Sequence, residues 1–418
     1  MFIKKIHIKN FKSFNNLEVE LGKFNVLIGA NASGKSNFIQ IFQFIRDIVN
    51  FGLDNAISMQ GGVEYLRNIK IGKLENLLVN FVSDHQFRRI LRKSNKNLIG
   101  IKPYEIVYDF VLKPKRRGQR YENTEDKLIQ FCNFIEFKRL KTKFKEIKKY
   151  GKGEISYYLE NGKLKVNLKK PPEVMLDEND ILPSFLREGK YPSNTVLFEI
   201  PFVLPLHELE MALSDISIYD FDPKLPKRAT PITGKAEFEE DGSNLSIVLK
   251  NILKNKNNSR KLFNLISDLL PFVTELDIEK FADKSLLFKI REEYFGRQYL
   301  PASLISDGTI NITSLVVALF FGKNQLTIIE EPERNIHPYL ISRVVNMMKE
   351  ASQKKQIIVT THNPEMVKHA GLKNILLISR DKDGFSTISK PSDNEEVKIF
   401  LKNEIGIDEL YIQNLLGE

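Results

Sequence analysis

Gly29-Ala-Asn-Ala-Ser-Gly-Lys-Ser36 is the stretch whose reading decides the fold. It follows the apolar run Phe24-Asn-Val-Leu-Ile28 and precedes Asn37-Phe-Ile-Gln-Ile-Phe-Gln-Phe-Ile45. Strand, glycine loop and helix in that order are the context that the phosphate-binding pattern G-x-x-x-x-G-K-[ST] requires. Gly29 and Gly34 permit a turn tight enough to aim successive N–H groups inward, and the helix beginning near Lys35 adds its positive end. The stretch reads as a nucleotide site in which Lys35 reaches the β and γ phosphates, the Ser36 hydroxyl takes one position on Mg²⁺, and Asn31, Ser33 and Asn37 complete the loop.

The rest of the composition fits an internal enzyme. A chain of 418 residues can bury a sizeable core. Its single cysteine, Cys132, cannot pair within the chain, and neither C-x-x-C nor H-E-x-x-H occurs, so a cytoplasmic location without structural zinc is expected. The opening Met-Phe-Ile-Lys-Lys-Ile-His-Ile-Lys alternates like a strand. No apolar run approaches the ~18 residues of a membrane helix, and no membrane partner is expected. The net charge of +10 is concentrated in residues 138–170, where twelve Lys or Arg face three Glu. Such a window is either a footprint for a phosphate backbone or a solvated lysine face.

Outward from the loop, strands are expected at residues 2–9, 17–21 and 24–28, with a helix over 35–50 and a break at Gly61-Gly62. Further strands are expected over 74–82 and 104–112. Leu140, Phe144, Ile147 and Tyr150 recur at helical spacing among lysines, so residues 138–150 read as a basic amphipathic helix. Two alternating runs around Asn161-Gly162 read as a hairpin over 154–168. Helices are expected over 245–253, 262–270, 310–321 and 338–350, and strands over 326–329 and 356–361. Alternating strands and helices with uninterrupted apolar strands indicate a buried, mainly parallel sheet.

Leu326-Thr-Ile-Ile-Glu-Glu-Pro-Glu333 is a buried strand that ends in carboxylates. Ligands bind at the carboxyl ends of strands in open α/β sheets, so Glu330 is expected to hold Mg²⁺ and Glu331 to position and polarise the attacking water. The strand Ile357-Ile-Val-Thr-Thr361 delivers His362 to the same edge, where it can hydrogen-bond the γ-phosphate or the water. Alone, each residue has a blander reading as a solvated turn or a structural histidine. Their joint order behind a phosphate loop favours chemistry. Ser306-Asp-Gly-Thr309 precedes an apolar helix and reads either as a helix cap or as a second phosphate contact.

Taken together, residues 29–36, Ser306-Asp-Gly-Thr309, Glu330-Glu-Pro-Glu333 with His337-Pro338, and Thr361-His362-Asn-Pro364 resemble the ABC-type ATPases of the RecF, SMC and OLD branch. More narrowly, they are similar to stand-alone ATPases of prokaryotic defence loci. Asp241-Gly-Ser-Asn-Leu245 and Glu409-Leu-Tyr-Ile-Gln-Asn-Leu-Leu-Gly417 match that group too. The resemblance runs through both ends of the chain and leaves out residues 115–235. It implies an α/β ABC-type P-loop ATPase head with a mainly parallel sheet plus antiparallel strands: an N-terminal part of the head at 1–114, an inserted basic α+β subdomain at 115–235 and the C-terminal part at 236–418. It also implies a homodimer or higher oligomer around ATP, in which Ser306, Asp307, Gly308 and Thr309 of one subunit close over nucleotide held by the other. Lys12 and Ser13 match a position at the nucleotide's outer edge. Glu330 stands where the family often has Asp, and Gln60 and Gln86 are the two candidates for its mobile-loop glutamine.

Three functions follow. The first is an ATP-switched dimer that hydrolyses ATP and controls a separate effector polypeptide, a nuclease being one option, in antiviral defence. The second is a DNA-handling clamp that tracks nucleic acid through residues 138–170. The third is a nucleotide-binding scaffold with little hydrolysis. Asp381-Lys-Asp-Gly384 lies between two short apolar runs and reads as a hairpin turn rather than a metal-binding D-x-D.

Overall fold

The computed structural model describes residues 2–416 apart from 73–74, 85–88, 95–96, 116–120, 141–142, 202, 282–283 and 403–404. The chain forms two compact units, each assembled from separated stretches of sequence. One comprises Gly22–Lys35, Ile216–Ser379 and Ser389–Glu418, and the other Met1–Leu21, Ser36–Asp215 and Arg380–Ile388.

The first of these units is built on parallel strands in the order Ser217–Tyr219, Leu326–Glu330, Gln356–Thr360, Phe24–Ile28 and Ile375–Arg380. Every neighbouring pair in that order is parallel. Phe24–Ile28 and Gln356–Thr360 are buried at every position, which is why these strands read as unbroken apolar runs. Parallel neighbours need long crossovers. Pro338–Ala351 connects Leu326–Glu330 to Gln356–Thr360, and Pro364–Ala370 lies between Gln356–Thr360 and Ile375–Arg380. Both helices begin with Pro, whose missing N–H costs nothing in a first turn. A small antiparallel sheet of Thr230–Pro231, Val273–Phe281, Ser285–Glu292 and Tyr299–Pro301 and the helices Leu245–Leu253, Lys256–Leu269 and Asp307–Phe320 complete this unit, with Leu249, Leu262, Phe288, Leu315 and Val344 in its core.

The other unit is an antiparallel sheet in the order Phe14–Glu20, Phe2–Phe11, Leu77–Asp84, Asn97–Pro114, Tyr121–Leu140, Lys143–Glu160 and Lys163–Lys169, with Arg89–Ser94 paired to Asn97–Pro114. Leu77–Asp84 alternates buried and half-buried, as a strand with one covered face should. The hairpin read around Asn161-Gly162 is present: Glu160 faces Lys163, and the two turn residues have φ of 53° and 70°. The turn read at Asp381-Lys-Asp-Gly384 is present too, closed by the Asp381 N–H on the Phe385 carbonyl at 2.9 Å.

The amphipathic helix expected over 138–150 is not formed. Those described residues belong to the strands Tyr121–Leu140 and Lys143–Glu160, paired from Leu140 opposite Lys143 to Lys127 opposite Tyr158. Helical spacing pays off only where a stripe has a core to enter, and Phe144 and Ile147 stay exposed at 42% and 50%. The long ladder satisfies the backbone instead. The two units also divide the chain differently from the partition at 115 and 235, because Ser217–Tyr219 pairs with Leu326–Glu330 in the parallel sheet.

Candidate nucleotide site

The loop after Phe24–Ile28 departs from ordinary backbone where the pattern requires it. Gly29, Ala32 and Gly34 have φ of 151°, 59° and 121°. A Cβ on Gly29 would stand 2.2 Å from the Ile378 carbonyl oxygen, so no other residue fits there. The Ser33 N–H donates to the Ala30 carbonyl at 3.2 Å. Lys35 Nζ donates to the carbonyls of Gly29 at 2.8 Å and Ala30 at 3.0 Å, which lays the ammonium along the loop. Burial moves its pKa down, and the Glu331 carboxylate opposes that shift. Asn31 is exposed at the loop tip, and Ser33 and Gly34 are buried. Ser36 and Asn37 follow in the first turn of the helix Lys35–Phe51, where the Ser36 side chain is exposed.

Two neighbouring strands end beside Phe24–Ile28 in the same direction or one strand further on. Leu326–Glu330 ends on Glu330, opposite Thr360. Burial raises the Glu330 pKa, with Asp220 and Glu331 adding repulsion and Arg334 partly offsetting it. Glu331 takes a positive φ of 42°, costly for a residue with a side chain, and its N–H is held by the Thr360 carbonyl at 3.1 Å. Arg334 Nη2 donates to Glu331 Oε2 at 3.2 Å while its Nη1 donates to Asp220 Oδ1 at 2.9 Å, so the guanidinium spans both carboxylates. His362 Nε2 lies 3.9 Å from Glu331 Oε1. Burial, with the Lys35 charge second, lowers the His362 pKa against the pull of Glu331, which favours the neutral ring. The unit thus brings together Lys35, Glu330, Glu331 and His362.

Ser306-Asp-Gly-Thr309 caps the helix Asp307–Phe320: the Ser306 hydroxyl accepts from the Thr309 N–H at 3.1 Å. The Thr309 amide is therefore already engaged. Lys227 pairs with Asp307, and a Cβ on Gly308 would stand 2.5 Å from the Asn335 carbonyl oxygen, so this turn packs on the chain just past Glu333. Ser306 itself remains exposed.

Lys12 and Ser13 lie in the other unit. Lys12 occupies a turn at φ 45° with its N–H on the Leu66 carbonyl, and burial lowers its pKa. Ser13 is buried, its hydroxyl accepting from Ser386 at 2.8 Å. Gln60 is buried at the end of the helix Leu53–Met59, and Gln86 lies outside the described residues.

Sequence reasoning missed Asp220 and Arg334, which surround the acid pair. The signal for Asp220 was faint: Ser217-Ile-Tyr219 is a three-residue strand that ends on a carboxylate. The stretch 241–245 proves structural. Buried Asn244 donates to the Lys235 and Glu237 carbonyls and accepts from the Glu239 N–H, tying the loop that follows Asp220.

These groups suit a magnesium nucleotide. Positive-φ backbone around a lysine is a cradle for phosphate oxygens, and Glu330 offers a hard oxygen donor. Among the described residues no group of three or more His, Cys, Asp or Glu could hold a metal alone. A Mg²⁺ ion here would draw on phosphates and water for most of its shell.

A parallel sheet with a phosphate loop on one strand, acids on a second-neighbour strand and a histidine on the strand between defines an ABC-type P-loop ATPase of the SMC and RecF branch. The chain belongs to the family described as "AAA domain, putative AbiEii toxin, Type IV TA system", whose profile matches residues 24–150 and 186–368. Its fold is similar to an SMC head solved with the C-terminal winged-helix domain of ScpA: 17% identity, TM-score 0.52, covering 93% of this chain and 98% of that one. An Smc head with an extended coiled coil from Pyrococcus furiosus, bound to the C-terminal domain of ScpA, aligns at 15% identity and TM-score 0.49 over 97% of this chain and 100% of that one. None of the curated proteins matches the chain. Among the described residues no helix is long and apolar enough to cross a membrane.

Proposed function

We propose that this ATPase binds Mg²⁺–ATP on residues 29–36 and hydrolyses it, that two copies close around the nucleotide, and that the cycle controls a separate effector polypeptide in prokaryotic antiviral defence. The observation that carries this reading is the convergence of Lys35, Glu330, Glu331 and His362 within one unit, from three adjacent parallel strands. Lys35 and the loop amides bind the β and γ phosphates, and the metal, held by Ser36 and Glu330, offsets charge that develops on them. Glu331, oriented by Arg334, polarises the attacking water, and neutral His362 hydrogen-bonds that water or the γ-phosphate. Exposed Ser306, with Asp307, Gly308 and Thr309, meets the partner copy's nucleotide; with the Thr309 amide already capped, the Ser306 hydroxyl and the helix end supply the contact.

The defence setting and a toxin-like effector rest on the family's description. A docked partner domain follows by analogy with the SMC head and its ScpA winged-helix domain. A cytoplasmic location fits both. Sedimentation of the purified chain tests the core of the reading: Mg²⁺ with a slowly hydrolysed ATP analogue should double the mass relative to nucleotide-free protein. An unchanged mass at saturating nucleotide removes the dimer.

A second reading, DNA binding, is favoured by the basic strand Lys143–Glu160. Lys145, Lys148, Lys149 and Lys152 are exposed there, with Lys148 Nζ 4.7 Å from the Tyr150 ring centroid and Lys152 Nζ 5.5 Å from that of Tyr104. Changing Lys145, Lys148 and Lys149 together to Glu should flatten the log–log salt dependence of duplex binding by about three contacts' worth, each about 0.9 in slope. The same slope and affinity in the triple variant would exclude this strand.

A further inference from the structure

We infer that Glu333 is a positioning residue: through the Thr361 hydroxyl its carboxylate ties the turn carrying Glu331 to the loop carrying His362 and holds the two groups in mutual register. The inference rests on the reading that Glu331 and His362 act on bound ATP.

The turn is short and closed. The Arg334 N–H donates to the Glu331 carbonyl at 3.0 Å and the Ile336 N–H to the Glu333 carbonyl at 3.0 Å, so Glu333 cannot shift without moving Glu331. Its side chain enters the interior, 8% exposed, and accepts a hydrogen bond from the fully buried Thr361 hydroxyl. The same Thr361 oxygen accepts from the Asn363 N–H at 2.9 Å, and the His362 N–H also favours the charged carboxylate. The carboxyl therefore holds Thr361 directly and, through the same hydroxyl oxygen, the Asn363 N–H on the far side of His362.

A buried acid is costly, and a purely apolar contact would hold the turn more cheaply. Arg334, next in sequence, is directed to Glu331 and Asp220 rather than to Glu333. Glu331 faces the carboxyl and repels it, the neutral backbone N–H of His362 favours its charged form, and Tyr411 of the helix Ile407–Ile412 faces it as well. Burial pushes the Glu333 carboxyl up to about 7, against the pull of Thr361. Because this folded-state value lies above the ordinary 4.5, the stability it contributes is full below about 4.5 and is lost as pH rises through about 7.

The test uses the full chain and measures kcat, KM and the affinity for a fluorescent ATP analogue. Glu333→Ala and Thr361→Val should each lower kcat by about tenfold with nucleotide affinity within about twofold, since misplacement of reacting groups costs rate before binding. The double variant should be no slower than the worse single one, because both break one link. Glu333→Gln and Thr361→Ser keep an acceptor and a hydroxyl and should restore kcat to within about twofold of the parent. As a readout independent of turnover, the melting temperature of the parent should fall relative to Glu333→Gln between pH 5 and pH 8. If Glu333→Ala does not fold, Thr361→Val against Thr361→Ser carries the comparison. Unchanged kcat in Thr361→Val, or fully additive losses, overturns the inference. A parent protein without ATPase activity would instead overturn the reading on which it rests.

Discussion

Replacing Lys35 by alanine should weaken Mg²⁺–ATP binding by about a hundredfold or more. Charge-assisted hydrogen bonds are worth about 1.5–3 kcal/mol each, and the ammonium would supply at least one to the β or γ phosphate. The structure explains why nothing nearby compensates. The loop carbonyls of Gly29 and Ala30 point at Lys35 Nζ, at 2.8 and 3.0 Å, so without the ammonium those acceptors would face phosphate oxygens directly. Arginine should not rescue, because its planar fork is longer and wider than the point charge the loop encloses. Titration with a fluorescent ATP analogue at fixed Mg²⁺ measures the effect. Equal affinity for parent and variant would mean that nucleotide does not sit on this loop.

Changing Glu331 to Gln should leave ATP bound but nearly unhydrolysed, with kcat down by about a hundredfold to a thousandfold, the range expected when a positioned base is lost. The amide keeps an oxygen for Arg334, so the change removes charge and basicity more than geometry. Trapped ATP should enrich the dimer, and the same sample examined by sedimentation reports both consequences. Identical turnover numbers would show that Glu331 is not the base and would favour a nucleotide-binding scaffold. His362 sets a secondary expectation: with its pKa lowered by burial and by Lys35, it should contribute no ionisation limb to the rate near pH 7.

The ATPase half of the structure was largely legible because its signals are local. Phe24–Ile28 and Leu326–Glu330 lie where the apolar runs placed them, and the helix read over 338–350 is Pro338–Ala351. A buried parallel strand is a continuous hydrophobic word, and a phosphate loop is a fixed spacing. What was hidden depends on distant partners. Ser217–Tyr219 is too short to show any period, so Asp220 could be found only through its register with Leu326–Glu330. Residues 138–150 carry apolar spacing compatible with a helix, and only pairing with Tyr121–Leu140 decides for a strand. Glu333 stood in the sequence only as the last carboxylate of the run 326–333, and its burial and its bond to Thr361 depend on a residue 28 positions further along, just past the end of Gln356–Thr360.

The order of the parallel strands bears on how such a chain is made. Phe24–Ile28 is made long before its two neighbours, Gln356–Thr360 and Ile375–Arg380. Its hydrogen-bonding edges stay open until those late segments leave the ribosome. Pairings this far apart in sequence are slow to form, and an unpaired apolar strand is sticky meanwhile. Translation that stalls before Gln356 would release a product in which the strand leading into the phosphate loop has both edges unpaired, open to pairing with another chain.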